Sequence, residues 1–111
     1  MELWEILVPT QWNDGTPIKL KHHKQWDEKV KAITGGLTIL TPAKGQWVAP
    51  TGTNFDERMI PVRFAVEQDW LTFTTTSSVT PPQPPRKVKE IMRITCKHYD
   101  QLAVMCYRVA D

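Results

Sequence analysis

Two cysteines in 111 residues are too few for a disulfide scaffold, and Cys96 and Cys106 stand apart rather than in the close pairs that bind structural zinc. They read as reduced thiols, which makes a cytoplasmic location the expectation. Long apolar runs are missing as well. The opening stretch Leu3 to Val8 contains Glu5, stops at Pro9 and has no basic region before it, so neither a membrane span nor a signal peptide is expected. Charge of one sign is also lacking: 14 Lys and Arg against 12 Asp and Glu leave +2, which provides no strong field for nucleic acid or anionic lipid. Glycine is scarce, and none of the five sits in a Walker or dinucleotide-type phosphate loop.

What remains is an ordinary folding chain. Leu, Ile, Val and Phe number 26, about 23% of the sequence, above the roughly 20% below which disorder is the better expectation. The length suits one domain over residues 1–111. Leu3 to Val8 is apolar on both alternating faces, as in a central strand. Asn13-Asp14-Gly15 marks a loop within Gln11 to Pro17. From Lys21 to Thr34, Trp26, Val30 and Ile33 fall at helical spacing, and Gly35-Gly36 supplies a stop.

Leu37 to Thr41 reads as a strand bent by Pro42 and continued by Gly45 to Val48. Ile60, Val62, Phe64 and Val66 alternate with Met59, Pro61, Arg63 and Ala65, the period of a strand with one buried face. Because Pro61 has no N–H, its side of that strand must meet a bulge, an edge or solvent. Trp70 to Thr74 has strand composition, and the Thr/Ser/Pro-rich insertion at about 74–85 is expected to be an extended flap, partner arm or mobile insertion. A second helix is expected from Pro85 to about Gln101, with Val88, Ile91, Met92, Thr95 and Tyr99 on one stripe. A last strand follows from Ala103 to Val109, with Ala103, Met105, Tyr107 and Val109 as its main stripe and Val104, Cys106 and Arg108 opposite.

The element order β-α-β-β-α-β is that of an α+β, ferredoxin-like fold, with two helices on one face of an antiparallel sheet. The other face then carries Leu3 and Leu7, with Val104 and Cys106 of the last strand adding apolar surface away from its main stripe, and surface of that kind does not stay wet. A homo-oligomer is therefore expected, with sheets or their edges meeting between subunits.

Candidate site residues are few. Glu57 and Arg58 lie just ahead of the strand that begins at Met59, where a carboxylate can hold a ribose or ammonium group or take a proton. Trp47 offers a face to a purine or a cation. His22 and His23 are adjacent on a helix and point about 100° apart, which suits surface or capping roles better than one metal, so no metal and no cofactor are expected. Cys96 and His98, two apart on a helix, face different ways and do not make a nucleophile pair. Lys19, Lys21 and Lys24, with Arg86, Lys87 and Lys89, form two small basic groups, but the strands lack the exposed aromatics of nucleic-acid-binding sheets.

From Gly35 onward, the pattern Gly35-Gly36-Leu37-Thr38, Gly45-Gln46-Trp47, Glu57, and Tyr99 followed by Gln101 resembles a group of small uncharacterised bacterial and phage ferredoxin-like domains. A looser resemblance is to the PII-like phage S-adenosylmethionine lyases. It implies a homotrimer with ligand sites between subunits, in which Gly45, Trp47, Glu57 and Gln101 occupy the comparable places. Those lyases carry a tyrosine where Trp47 stands, and an indole has no hydroxyl proton to give.

The resemblance implies a trimer binding a nucleotide-like or other small polar metabolite through Gly45, Gln46, Trp47, Glu57, Arg58 and Gln101. Trp47 would stack, Glu57 and Gln101 would form hydrogen bonds, and Arg58 would meet an anion. Two alternatives stand beside it. One is a lyase-like enzyme with Glu57 as its catalytic group; the other is a structural or protein-interaction module working through a sheet edge or the Pro-rich arm.

Overall fold

The computed structural model describes residues 1–48, 50–52, 54–67 and 84–110. The expectations for Trp70 to Thr74, and for all of the 74–85 insertion except Pro84 and Pro85, lie outside the described residues. The elements are β1 (Glu2–Pro9), α1 (Leu20–Thr34), β2 (Thr38–Ile39), β3 (Ala43–Val48), β4 (Asn54–Val66), α2 (Arg86–His98) and β5 (Cys106–Ala110). The sheet runs β2-β4-β1-β5, with β3 also pairing β4, and every described pairing is antiparallel. This is the expected α+β, ferredoxin-like arrangement, with β2 and β3 as two pieces of one bent arm.

The β1·β4 ladder sets the faces. Its register pairs Ile6 with Val62 and Trp4 with Phe64, and Ile6, Val8, Val62, Phe64 and Val66 are all buried. They pack with Trp26 and Val30 of α1 and with Val88, Ile91 and the succeeding Tyr99 from the α2 end, so this face is the core. Completely burying side chains of this size contributes about 1.5–3 kcal/mol each. On the opposite face, Leu3, Glu5 and Leu7 pair with Ala65, Arg63 and Pro61.

Pro61 sits in the middle of the sheet, where its missing N–H would ordinarily break a ladder. Its carbonyl accepts from Leu40 N at 2.9 Å, so its backbone polar side faces the interval between β2 and β3. The neighbouring strand is interrupted there, which meets the need for a bulge.

α1 ends as the glycines suggest. Gly35 adopts φ 84°, and its N–H donates to Lys31 O at 2.7 Å. α2 ends earlier than the stripe implied, at His98. Tyr99 closes the helix and Asp100 takes the left-handed conformation at φ 53°, which places Gln101 beyond the helix. Pro85 precedes the first turn instead of lying in it.

Two expectations about faces and limits need correction. The last strand begins at Cys106, and it is Val104 and Cys106 that pack against the core; Met105, Tyr107 and Val109 are 62%, 41% and 37% exposed. The stripe richer in apolar residues thus faces outward. β4 begins at Asn54, so Glu57 and Arg58 lie inside a 13-residue strand and not ahead of it. Their backbone is drawn into the sheet by pairing with β3, which no apolar alternation announces.

The two helices are pinned by one buried polar relay. Trp26 Nε1 donates to Thr95 Oγ1 at 2.9 Å, and that hydroxyl donates to Ile91 O at 2.6 Å, with both residues within 1% of complete burial. Thr95→Val strands the indole N–H without an acceptor and is expected to cost about 1–3 kcal/mol in urea unfolding. Thr95→Ser, which keeps the hydroxyl, is expected to cost less; equal costs for the two would show that the relay does not matter.

Candidate functional site

The expected site residues fall into two groups. Gly45 pairs with Glu57, Gln46 with Asp56 and Trp47 with Phe55, so the glycine, the aromatic and the carboxylate expected from the sequence share one β3-β4 hairpin. A Cβ on Gly45 would meet only Glu57 O, at 3.6 Å, an ordinary contact, so this position is open rather than sterically reserved for glycine. Glu57 and Arg58 are both exposed. As consecutive strand residues they project to opposite faces, Glu57 with Pro61 and Arg63 on the face turned away from α1 and α2.

Gln101 belongs to the second group, at the α2-β5 turn. Its backbone N–H donates to Cys96 O at 2.8 Å, and its side-chain amide donates to Asn13 Oδ1 at 3.0 Å and to Tyr99 O at 3.2 Å. Asn13 in turn donates to Asp100 O at 2.7 Å. No described hydrogen bond joins Gln101 to the hairpin directly. The link runs through the loop after β1: Thr10 Oγ1 donates to Arg58 O at 2.9 Å, and Asn13 lies three residues further on. This β1-α1 loop is braced by Ile18 N to Thr10 O and Trp12 N to Thr16 O.

Behind Gln101 stands a cluster that the sequence did not reveal. Tyr99 is fully buried, and its hydroxyl lies 2.8 Å from His23 Nδ1. Trp12, Trp26 and His98 pack against its ring, and His22 packs edge-on against Trp12. His98 Nε2 is 2.7 Å from His22 O, and its Nδ1 is 3.2 Å from Lys29 Nζ. All three histidines of the chain are gathered here; His22 and His23, for which surface or capping roles were expected, are half-buried and packed against Trp12 and Tyr99.

Burial pushes the Tyr99 hydroxyl far above its ordinary value, with the Asp27 carboxylate adding to the shift. Burial also lowers His23 and His98 below the usual histidine range; Asp27 opposes the shift at His23, and the bond to the His22 carbonyl opposes it at His98. Burial pushes the Cys106 thiol up to about 12, which leaves it protonated and unreactive near neutral pH. Among the described residues, no group of three or more His, Cys, Asp or Glu could hold a metal ion, and no helix is long and apolar enough to cross a membrane.

On the face turned away from α1 and α2, one row crosses four strands. Thr38 pairs with Arg63, Arg63 with Glu5, and Glu5 with Tyr107. Arg63 Nε donates to Glu5 Oε1 at 2.9 Å, and Glu5 is only 5% exposed. The row is flanked by apolar pairs, Leu7 with Pro61 on one side and Leu3 with Ala65 on the other.

No protein-family model and no curated protein matches the chain. Among solved structures, it is similar to a phage SAM lyase in complex with S-methyl-5'-thioadenosine, with a TM-score of 0.61 and 12% identity, covering 98% of this chain and 88% of that one. A phage SAM lyase in the apo state matches over the same shares at a TM-score of 0.59 and 12% identity. At this identity the likeness establishes a shared fold.

The open setting of Gly45 yields a direct check. Gly45→Ala is expected to leave the fold intact and stability unchanged or raised by about 0.4–1 kcal/mol, since alanine restricts the unfolded chain. A loss of more than about 1 kcal/mol in urea unfolding would contradict the hairpin geometry described.

Proposed function

We propose that this chain is a homotrimer that binds a nucleoside-like metabolite in clefts between its subunits, with the β3-β4 hairpin as the ligand-facing arm. The observation that carries this reading is the pairing of Gly45 with Glu57 on a hairpin of a fold shared, over 98% of the chain, with a phage SAM lyase that holds S-methyl-5'-thioadenosine. Glu57 accepts hydrogen bonds from ribose hydroxyls or an ammonium group, Trp47 stacks on the base, and Gly45 and Gln46 let the ligand approach the strand. Gln101, fixed by Asn13, supplies a further amide, and Arg58 meets an anionic group from the other side of the arm.

Oligomer formation is supported by the outward residues Tyr107 and Val109 on the edge strand β5 and Met105 just before it, beside Leu3 and Leu7. An exposed apolar edge invites pairing unless it is covered. The proposed cleft gains a further reason from Glu57 and Arg58, whose opposed faces suit a ligand shared between subunits.

A second reading, a lyase-like enzyme, is favoured by the identity of both structural neighbours. In it Glu57 orients S-adenosylmethionine or takes a proton during an elimination. Trp47 weighs against it, because an indole offers no hydroxyl. Incubation with S-adenosylmethionine separates the two readings: appearance of methylthioadenosine supports the enzyme, and its absence leaves the binder.

Native mass spectrometry of the purified chain is expected to show three subunits, and titration with S-methyl-5'-thioadenosine is expected to add one nucleoside mass per cleft. Trp47→Ala and Glu57→Ala should each weaken binding about tenfold or more, as losing a stacking face or a charge-assisted hydrogen bond does. A monomer, or variants that bind as well as the parent chain, would overturn the proposal.

A further inference from the structure

We infer that His98, together with His23, is a proton-sensitive latch that holds the Asn13-Gln101 junction in place. The inference concerns regulation of the proposed ligand site and rests on that reading for its consequence in binding.

The partners of His98 fix its tautomer. The His22 carbonyl can only accept, so Nε2 carries the hydrogen; the Lys29 ammonium can only donate, so Nδ1 is bare. A neutral imidazole satisfies both. A second proton has nowhere to go but Nδ1, where it displaces the Lys29 hydrogen bond and repels the exposed Lys29 ammonium that made it. The bond to His22 O survives, so protonation severs one side of the clamp only.

His23 adds a second sensitive bond. Its Nδ1 lies 2.8 Å from the hydroxyl of the fully buried Tyr99, and in the neutral tautomer with Nδ1 bare it accepts the Tyr99 proton. Once His23 is charged and donates instead, the Tyr99 hydroxyl must accept, and its own proton loses its acceptor. An unsatisfied buried donor carries a substantial penalty. The titratable and charged groups facing these rings are His22, Asp27 and Lys29 on α1, with Lys97 and Asp100 flanking His98 and Tyr99 in the chain. Asp27 favours charged His23, but burial outweighs it.

The latch acts on the site because the chain passes straight from it into the junction. Tyr99 O accepts from the Gln101 side chain, Asp100 O accepts from Asn13, and Asn13 Oδ1 accepts from Gln101. Trp12, next to Asn13, lies against both His22 and Tyr99. Losing the Lys29 contact and the Tyr99 acceptor, with the His22 bond kept, therefore loosens the Tyr99-Asp100 turn that carries the Asn13-Gln101 contact. The sign follows from the lowered values of both rings: the unlatched form takes up protons more readily. The junction is fully formed above the ordinary histidine value of about 6.5 and weakens as pH falls below it through the lowered values.

The test is a pH titration of the full ¹⁵N-labelled chain from pH 8 to 5, following the histidine rings and the side-chain amides of Asn13 and Gln101. His98 is expected to titrate below about 6.5, with both amides moving at the same midpoint. His98→Gln keeps a donor for His22 O and an acceptor for Lys29 without titrating, and should leave only the shift caused by His23. Lys29→Gln removes the like charge and should raise the His98 midpoint, which keeps the test decisive if His98→Gln fails to fold. A His98 midpoint at or above 6.5, or Asn13 and Gln101 amides that stay still while His98 titrates, overturns the latch.

Calorimetric binding of S-methyl-5'-thioadenosine at pH 7 and 5.5 extends the test to the site. Affinity should fall with pH, by up to about tenfold per unit for one linked proton, and less in His98→Gln. If the nucleoside binds at neither pH, the proposed function fails, and the amide titration still decides the latch.

Discussion

The pairing of β1 with β4 is the constraint on which the rest of the molecule depends. Eight consecutive pairs, from Glu2 with Val66 to Pro9 with Met59, fix which residues face the helices and which face away. A slip of β1 by one residue against β4 would carry Ile6 and Val8 out of the core, turn Glu5 into it and part Glu5 from Arg63. A lone charge turned into an apolar core is costly, so the register is held from both faces. The same ladder carries β4 beyond the end of β1, and that overhang is the strand on which β3 folds back to set Gly45 opposite Glu57.

The second organising element is the packing around Tyr99. It unites residues from the loop after β1, from α1 and from the end of α2, so the end of the helix layer and the site-bearing turn form one unit. The Trp26-Thr95 relay holds the middle of the two helices, while the histidines hold their end. These contacts differ in kind. The relay is neutral and insensitive to pH, whereas the histidine contacts depend on which nitrogen carries a proton. Tight packing can thus coexist with an adjustable junction at Asn13 and Gln101.

Much of the fold was legible in the sequence because it rests on one-dimensional periodicity. Trp26, Val30 and Ile33 announced α1, and Ile60 to Val66 announced the core-facing side of β4. Periodicity fails where both faces are apolar. Met105, Tyr107 and Val109, at the start of and along β5, form the more hydrophobic stripe of the last segment but are exposed, since Cys106 pairs with Ile6 and takes the core side. It fails again on the overhanging hairpin, where residues such as Lys44, Glu57 and Arg58 give no alternation, so the strand was expected to start at Met59. The histidine cluster was hidden for a different reason: Tyr99 belongs to the apolar stripe of α2, but it meets His23 across 76 residues, and nothing local marks that contact. Of the candidate site residues, Gly45, Trp47 and Glu57 were suggested by a resemblance in short motifs, but their meeting on one hairpin and the coupling of Gln101 to Asn13 required the fold.

The central claim is that the Gly45-Glu57 hairpin is the ligand-facing arm of an assembly whose subunits meet on the side of the sheet turned away from α1 and α2. Hydrogen-deuterium exchange of the full chain with and without S-methyl-5'-thioadenosine tests it most directly. The account predicts that added nucleoside slows exchange in peptides spanning Gly45 to Val48, Glu57 to Met59 and Gln101, while the β5 edge is protected in both states. Exchange slowed elsewhere only, or a β5 edge that exchanges as fast as free chain, would contradict it.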